Sequence, residues 1–243
     1  MALEVLQSKE EYKKARLEMQ QLGIDCADRL NPIESILESL GKLKRVKIGD
    51  IVKSWDILKT IQLIEKVASK DSAILDIGAV GSEILLILNR LNYQNLTGLD
   101  LGPKIEKMPA ADKIRYINCD FMHTPFEDNS FQAITSISVI EHGFNGEKLF
   151  SEISRILVPG GYFIASFDYF PEKIDTSKIR FFDLDWMIFS KEDVQALLKQ
   201  AEKFDLRPVG HLNFAASKPT IKWQGKNYTF AWLALQKADK YSK

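Results

Sequence analysis

The sequence has little that would cross-link it, anchor it or charge it strongly. Its 243 residues hold two cysteines, Cys26 and Cys119, far apart, with no C-x-x-C pair and no Cys/His cluster. That usage excludes a disulfide framework and a zinc site, so no metal is expected, and it fits a reducing, cytoplasmic setting. Net charge is missing too. Thirty-three acids and thirty-three bases cancel, which removes the electrostatic reason to expect a nucleic-acid partner. The main local excess, Lys42-Leu43-Lys44-Arg45-Val46-Lys47, reads as a solvated basic run, with a phosphate or anionic-substrate contact as the other reading. No run of roughly 18 apolar residues occurs. The first residues, MALEVLQSKEEYKKARLEM, lack the apolar core of a signal peptide. No membrane contact is therefore expected. What remains is ordinary globular composition, 45% hydrophobic and 27% charged, in a length that suits one large α/β domain or one domain with an added element.

Residues 1–70 read as helices forming a cap. Ser8 and Glu11 make a capping box before EEYKKARLEMQQL, and Gly23 ends that helix. Asn31-Pro32 opens NPIESILESL, closed by Gly41. A third helix runs from about Ser54 to Ser69 on the spacing of Trp55, Ile57, Leu58, Ile61, Leu63, Ile64 and Val67. From Asp71 the pattern changes. Strands are expected at 72–77, 95–99, 113–119, 131–139 and 162–167, and helices at 81–91, 146–157 and 190–203. Two closing strands, 206–212 and 227–235, read as an antiparallel pair. Strands that are nearly all apolar and alternate with helices predict a doubly wound α/β fold, mostly parallel, over residues 71–243.

In such a sheet ligands bind beyond the carboxyl ends of the strands. Four of those ends carry acids: Asp76, Asp100, Asp120 and Glu141, the last followed by His142. An acidic edge does not suit phosphate; it suits ribose hydroxyls and an ammonium or sulfonium charge. The first strand leads into AILDIGAVGSE. Gly78 allows a sharp turn and close backbone approach, and Gly81 is expected to open a helix whose amides face a ligand. The loop lacks the third glycine of G-x-G-x-x-G, and Asp76 would repel a pyrophosphate. Asp100, 24 residues after Asp76, stands where an acid accepts from ribose hydroxyls.

With these residues in hand, the chain resembles the class I, seven-stranded, S-adenosylmethionine-dependent methyltransferases, in their small-molecule branch. The resemblance rests on AILDIGAVGSE, LTGLDL, INCDFMHTPFEDNSFQAITSISVIEHG and LFSEISRILVPGGYFIAS, in that order, and spans about Lys53 to Phe167. It implies a seven-stranded sheet with an antiparallel last strand and a helical cap over the cofactor. It places Asp76, Gly78, Ala79 and Gly81 along the methionine part of S-adenosylmethionine, and Asp100 and Leu101 at the ribose and adenine. Asp120 would meet the adenine amino group, with Cys119 and Phe121 beside the ring. Ser136 and Ile137 would border the methionine and sulfonium. The product would be S-adenosylhomocysteine. Two departures stand out: Val80 and Ser82 replace glycines of D-x-G-x-G-x-G, and Gln132 replaces the Asp that usually follows the strand-four Phe.

Methyl transfer needs mainly alignment, since the sulfonium is already activated. A base is needed only where the acceptor loses a proton, and His142 is the expected catalytic residue. Its other reading is a structural histidine. Glu141, His142, Tyr169 and Trp186 are the expected acceptor-side residues, the last two from the aromatic stretch 167–190 that also holds Phe170, Phe181 and Phe182. The expected reaction is O-methylation of a hydroxyl or carboxylate on a small molecule, peptide or glycan by a monomer or homodimer. The alternatives are a non-catalytic methyltransferase-like binding protein and, less well matched, a nicotinamide-dependent oxidoreductase.

Overall fold

The computed structural model describes residues 1–42, 45–143, 145–181 and 183–239; Leu43 and Lys44 of the basic run and Phe182 of the aromatic stretch lie outside the described residues. The chain opens with strand β1 (Leu3–Val5), helix α1 (Lys9–Gln21), α2 (Pro32–Ser39) and α3 (Ser54–Val67), then β2 (Ala73–Ile77), α4 (Ile84–Arg90), β3 (Asn95–Asp100) and β4 (Ile114–Asn118). It continues through β5 (Phe131–Ile137), α5 (Gly146–Ile156), β6 (Leu157–Tyr169), a short hairpin of β7 (Arg180–Phe181) and β8 (Leu184–Asp185), α6 (Lys191–Glu202), β9 (Leu206–Pro208), β10 (Ile221–Trp223) and β11 (Lys226–Lys237).

The main sheet runs β4-β3-β2-β5-β6-β11. The first five strands are parallel, and β11 is antiparallel to β6. The far edge of β11 is shared by three short strands, β9, β1 and β10, all antiparallel to it. The width is seven positions, filled by nine strands. Two helical layers cover the sheet, as its apolar strands require. On one face α3 and α4 pack Ile57, Ile61, Ile64, Ile84 and Leu88 against Ile74 and Ile164. On the other, α5 and α6 pack Phe150, Ile153 and Leu197 against Leu75, Ile77 and Phe163.

The amino-terminal residues are not all helical. Leu3 and Val5 are buried, and β1 pairs with Ala231–Leu233 in the main sheet. A run of three residues is too short to show a period. Ser8 caps α1 through the Glu11 N–H at 3.3 Å, but the Glu11 carboxylate reaches Gln7 N–H instead of closing the expected box. Asn31 with Glu34, and Ser190 with Asp193, form complete boxes. Strand β6 begins at Leu157, before Pro159-Gly160-Gly161, because the register slips there between Phe131 and Ala133 of β5 and absorbs the turn as a bulge. It also runs two residues beyond Phe167, which brings Asp168 into the sheet.

Of the basic run, Arg45 pairs with Asp28 and, at 3.2 Å, with Glu34, and Lys47 lies 3.0 Å from Glu38. These partly exposed ion pairs match the solvated-surface reading. Among the described residues no helix is long and apolar enough to cross a membrane.

Candidate functional site

The strand order reverses between β2 and β5, whose carboxyl ends lie side by side with Asp76 beside Thr135 and Ile77 beside Ser136. The loop after β2 turns on Gly78, whose φ is +72° and where a Cβ would sit 2.2 Å from Val139 Cγ2. Its amides are all committed within the protein. Gly78 and Ala79 N–H donate to the Leu99 carbonyl, and Ser82 N–H to the Ala79 carbonyl. Val80 N–H donates to Asp100 Oδ2 at 3.1 Å, and Gly81 N–H points at Met108 Sδ at 3.3 Å. Helix α4 begins at Ile84 rather than at Gly81. Gly81 has φ +77°, outside the helical region, and a Cβ there would lie 2.9 Å from the Lys47 carbonyl. Its amide therefore does not face a ligand as expected. The two departures from the glycine pattern have local reasons. Val80 packs against the Val46, Ile48 and Ala79 cluster, and the Ser82 hydroxyl accepts from Ile84 N–H at 3.2 Å. The third departure, Gln132, reaches the Val67 carbonyl at the end of α3.

The crevice offers oxygens rather than amides. Asp76 is 1% exposed. Its Oδ1 accepts from Thr135 Oγ1 at 2.6 Å, while its Oδ2 has no hydrogen-bond partner among the described residues. Burial pushes its carboxyl up to about 6, against the pull of the Ser82 and Thr135 hydroxyls. Ser136 is fully buried and its Oγ is also without a partner. Unsatisfied buried oxygens at a switch point are places where a ligand's donors would relieve a cost of about 1–3 kcal/mol each. Asp100 sits 24 residues on, at the end of β3, with Oδ1 and Oδ2 taking the Gly102 and Val80 N–H. Leu101 beside it is 53% exposed. Past β4, Cys119 is half-buried and Asp120 is exposed, its Oδ1 accepting from Met122 N–H. Phe121 does not join them, because its ring is buried in the core under α5 and α6.

A second group of side chains gathers where β5 and β6 end. Lys53, just before α3, donates from Nζ to Ser138 Oγ, and the same ammonium lies 3.1 Å from the centroid of the Phe230 ring. Around it stand three buried acids: Asp56, Glu141 and Asp168. Asp56 accepts from Ser166 Oγ at 2.7 Å, and burial lifts its carboxyl to about 6. Asp168 Oδ2 accepts from Trp186 Nε1 at 2.8 Å. Glu141 is 1% exposed and its Oε2 has no partner among the described residues. Burial first, then the nearby Asp168 charge, raise its carboxyl above the ordinary range, and Lys53 opposes them. His142, bridged to Trp186 and edge-on to Phe181, is held below its ordinary value by burial and by Lys53, so its imidazole is neutral at neutral pH. Tyr169 is absent from this group. Side chains alternate along a strand, so Ser166 and Asp168 face the cluster while Tyr169 is fully buried on the other face, its hydroxyl donating to the Phe214 carbonyl. The sequence pattern ends this strand, β6, at Phe167; the strand-end rule that points to Asp76 and Asp100 reaches Asp168 one residue further on.

The amino-terminal segment is tied over the glycine loop by a buried ion pair that the sequence reading did not anticipate. Arg16 of α1 reaches Glu83 with both terminal nitrogens, at 2.7 and 2.8 Å, and also holds Asp25 and Ser54. Gly49 N–H donates to the Gly81 carbonyl. A hollow of about 480 Å³ lies at the other end of the sheet, along Ala73, Asn95, Thr97 and Arg115, away from both groups.

Residues 75–165 match the family model of the methyltransferase domain. A sterol 24-C-methyltransferase of Gibberella zeae is 36% identical over 99 residues, which is 37% of this chain and 26% of that enzyme. The chain matches between 13% and 38% of the length of the first curated relatives. Among solved structures, the geranyl diphosphate C-methyltransferase of Streptomyces coelicolor aligns with a TM-score of 0.56 at 15% identity, over 86% of this chain and all of that one. The [4+2]-cyclase SpnF aligns with a TM-score of 0.57 at 14% identity, over 98% of this chain and 99% of its own. The chain thus carries, over residues 75–165, a stretch similar to methyltransferase domains, and its strand order and the glycine turn between Asp76 and Asp100 give it the fold of the solved methyltransferases it aligns with.

Proposed function

We propose that the protein binds S-adenosylmethionine at the β2–β5 switch point and transfers its methyl group to the oxygen of a small or medium organic acceptor. The observation that carries this is the polarity of the crevice. Every N–H of residues 78–82 is committed internally, while Asp76 Oδ2 and Ser136 Oγ are buried acceptors without donors among the described residues. A pyrophosphate needs amides and would meet a carboxylate; an ammonium and a sulfonium supply the missing donor and positive charge. This counts against the nicotinamide reading.

In this proposal Asp76, Ser136 and the backbone at Gly78 hold the amino-acid end, with Ala79, Gly81 and Ile137 shaping the turn around it. Asp100 uses its remaining lone pairs for the ribose hydroxyls. Leu101 covers one adenine face, and Asp120 with Cys119 borders the base. The cofactor supplies an activated methyl group; the chain supplies alignment and exclusion of water. The neutral imidazole of His142 is placed to take a proton from a hydroxyl acceptor. Carboxylate acceptors need no base. C-methylation, the reaction named for the sterol relatives, is the second reading, and product NMR separates it from O-methylation by the carbon to which the new methyl is attached.

The test is calorimetric titration with S-adenosylhomocysteine. Asp100→Asn keeps one acceptor oxygen for one of the two loop amides, loses the other hydrogen bond and removes the charge. It should weaken binding by tenfold or more, about 1.4 kcal/mol, and lower the melting temperature by no more than the loss of one partly exposed hydrogen bond, about 1 kcal/mol. Wild-type affinity weaker than millimolar would favour the non-catalytic reading instead.

A further inference from the structure

The group at the ends of β5 and β6 restricts the charge of what can bind there. It contains three buried carboxylates, Asp56, Glu141 and Asp168. An anionic acceptor, carboxylate or phosphate, would meet Asp56 and Asp168, whose charges the Lys53 ammonium already offsets. A cationic acceptor would seek an aromatic face with carboxylates around it. That position is taken by the protein's own Lys53 ammonium, over Phe230 and bound to Ser138. Two of the acids already have donors: Asp56 has Ser166, and Asp168 has Trp186. Glu141 Oε2 has none. Glu141 Oε2 is therefore one hydrogen-bond partner short among the described residues, and because burial and Asp168 favour the protonated carboxyl, that partner should be uncharged.

Beside this group is an aromatic wall. Phe181 and Trp223 stack at 4.4 Å with 25° between their planes, and Trp186 meets both edge-on, at 5.5 and 5.3 Å. Trp223, at the β10–β11 hairpin, is 42% exposed. Trp186 links the wall to the acids, through Asp168 on one side and its bridge to His142 on the other. A pyranose ring matches both halves of this mouth, with a C–H face for the aromatics and a rim of hydroxyl donors for the carboxylate.

We propose that the acceptor is a neutral sugar residue, seated against Phe181 and Trp223 with one hydroxyl donating to Glu141. This rests on the methyl-transfer reading and narrows its hydroxyl-or-carboxylate acceptor to a hydroxyl. Entry requires the β7–β8 hairpin to lift, since Leu184 packs on Gly143 and Phe181 on His142.

Saturation-transfer NMR with matched probes tests this in the presence of S-adenosylhomocysteine. The probes are methyl hexopyranosides, the corresponding 2-amino sugars, the corresponding uronic acids, and phenol. The neutral glycosides should show saturation transfer, with the amino sugars and uronates at least tenfold weaker. Trp223→Ala should reduce glycoside affinity at least tenfold, and Glu141→Leu should abolish it. Glu141→Gln, which keeps an acceptor oxygen, should retain part of it. Tighter binding of the amino sugar, the uronate or phenol overturns the proposal. So does the absence of glycoside binding in a sample whose calorimetry shows S-adenosylhomocysteine bound. Failure to bind S-adenosylhomocysteine defeats the methyl-transfer reading itself, which keeps the two failures apart.

Discussion

Replacing Arg16 by methionine isolates the tie between the amino-terminal segment and the glycine loop. The Arg16 and Glu83 side chains are 6% and 0% exposed, so water cannot take over for the lost guanidinium. The variant leaves the Glu83 carboxylate with the Cys26 N–H at 3.3 Å and removes the hydrogen bonds to Asp25 and Ser54. Breaking a buried pair from one side costs about 3–5 kcal/mol. Against a total stability of about 5–15 kcal/mol, that is a large fraction. With an m-value near 3 kcal/mol/M in urea, the midpoint should fall by about 1–1.7 M. The control is the double variant Arg16→Met with Glu83→Leu, which removes the stranded charge along with its partner and should recover most of the loss. If Arg16→Met alone costs less than about 1 kcal/mol, or if the double variant is as unstable as the sum of its singles, the pair is not the tie described here.

Two other outcomes follow from the same geometry. Gly78→Ala combines a left-handed backbone with a Cβ 2.2 Å from Val139 Cγ2. It should cost about 2–4 kcal/mol, with Val139→Ala in the same chain restoring part of that in urea melts; no restoration would show that the contact is not the cause. Glu152 resists ionisation through burial, but hydrogen bonds from Arg155 and Thr124 outweigh this and hold its carboxyl down to about 2. Its folded value lies below its unfolded one, so its contribution is present above the ordinary carboxylate range and is lost as pH falls toward 2. Glu152→Gln should therefore be less stable than wild type by about 2 kcal/mol at pH 7, after allowance for the partly exposed Arg155, and the gap in melting temperature should narrow at pH 3. A gap that stays constant would rule out the charge as its source.

Much of the site could be read locally. Asp76, Asp100 and Glu141 each end an apolar run, so strand boundaries alone pointed to the binding edge, and the central strands and helices follow from period and caps. What was not legible depends on contacts distant in sequence or on parity. Arg16 lies within EYKKARLEM, where its charge reads as solvated; its partner Glu83 is 67 residues away. The pairing of β1 with β11 joins the two ends of the chain, and three residues carry no pattern of their own. Tyr169 and Asp168 are neighbours in sequence, yet alternation sends the acid to the site and the phenol to the core. An aromatic stretch does not announce which of its residues falls on which face until its register is known.

The glycine loop shows how a departure from a motif can be explained by its surroundings. Glycine is needed where a backbone must be left-handed or closely approached, and in this loop those positions are 78 and 81, with φ of +72° and +77°. Positions 80 and 82 carry no such constraint, and their side chains have other work. Val80 meets the apolar residues 46 and 48 that cross above it, and the Ser82 hydroxyl accepts from the Ile84 N–H at the start of α4. The amino-terminal segment lies over this turn through the Gly49–Gly81 hydrogen bond and the Arg16–Glu83 pair. A loop covered in this way has no need of bare amides on its outer side. In the proposed binding mode recognition passes to the inner side, to Asp76 and Ser136, whose unpartnered oxygens suit a donor and a positive charge rather than a phosphate.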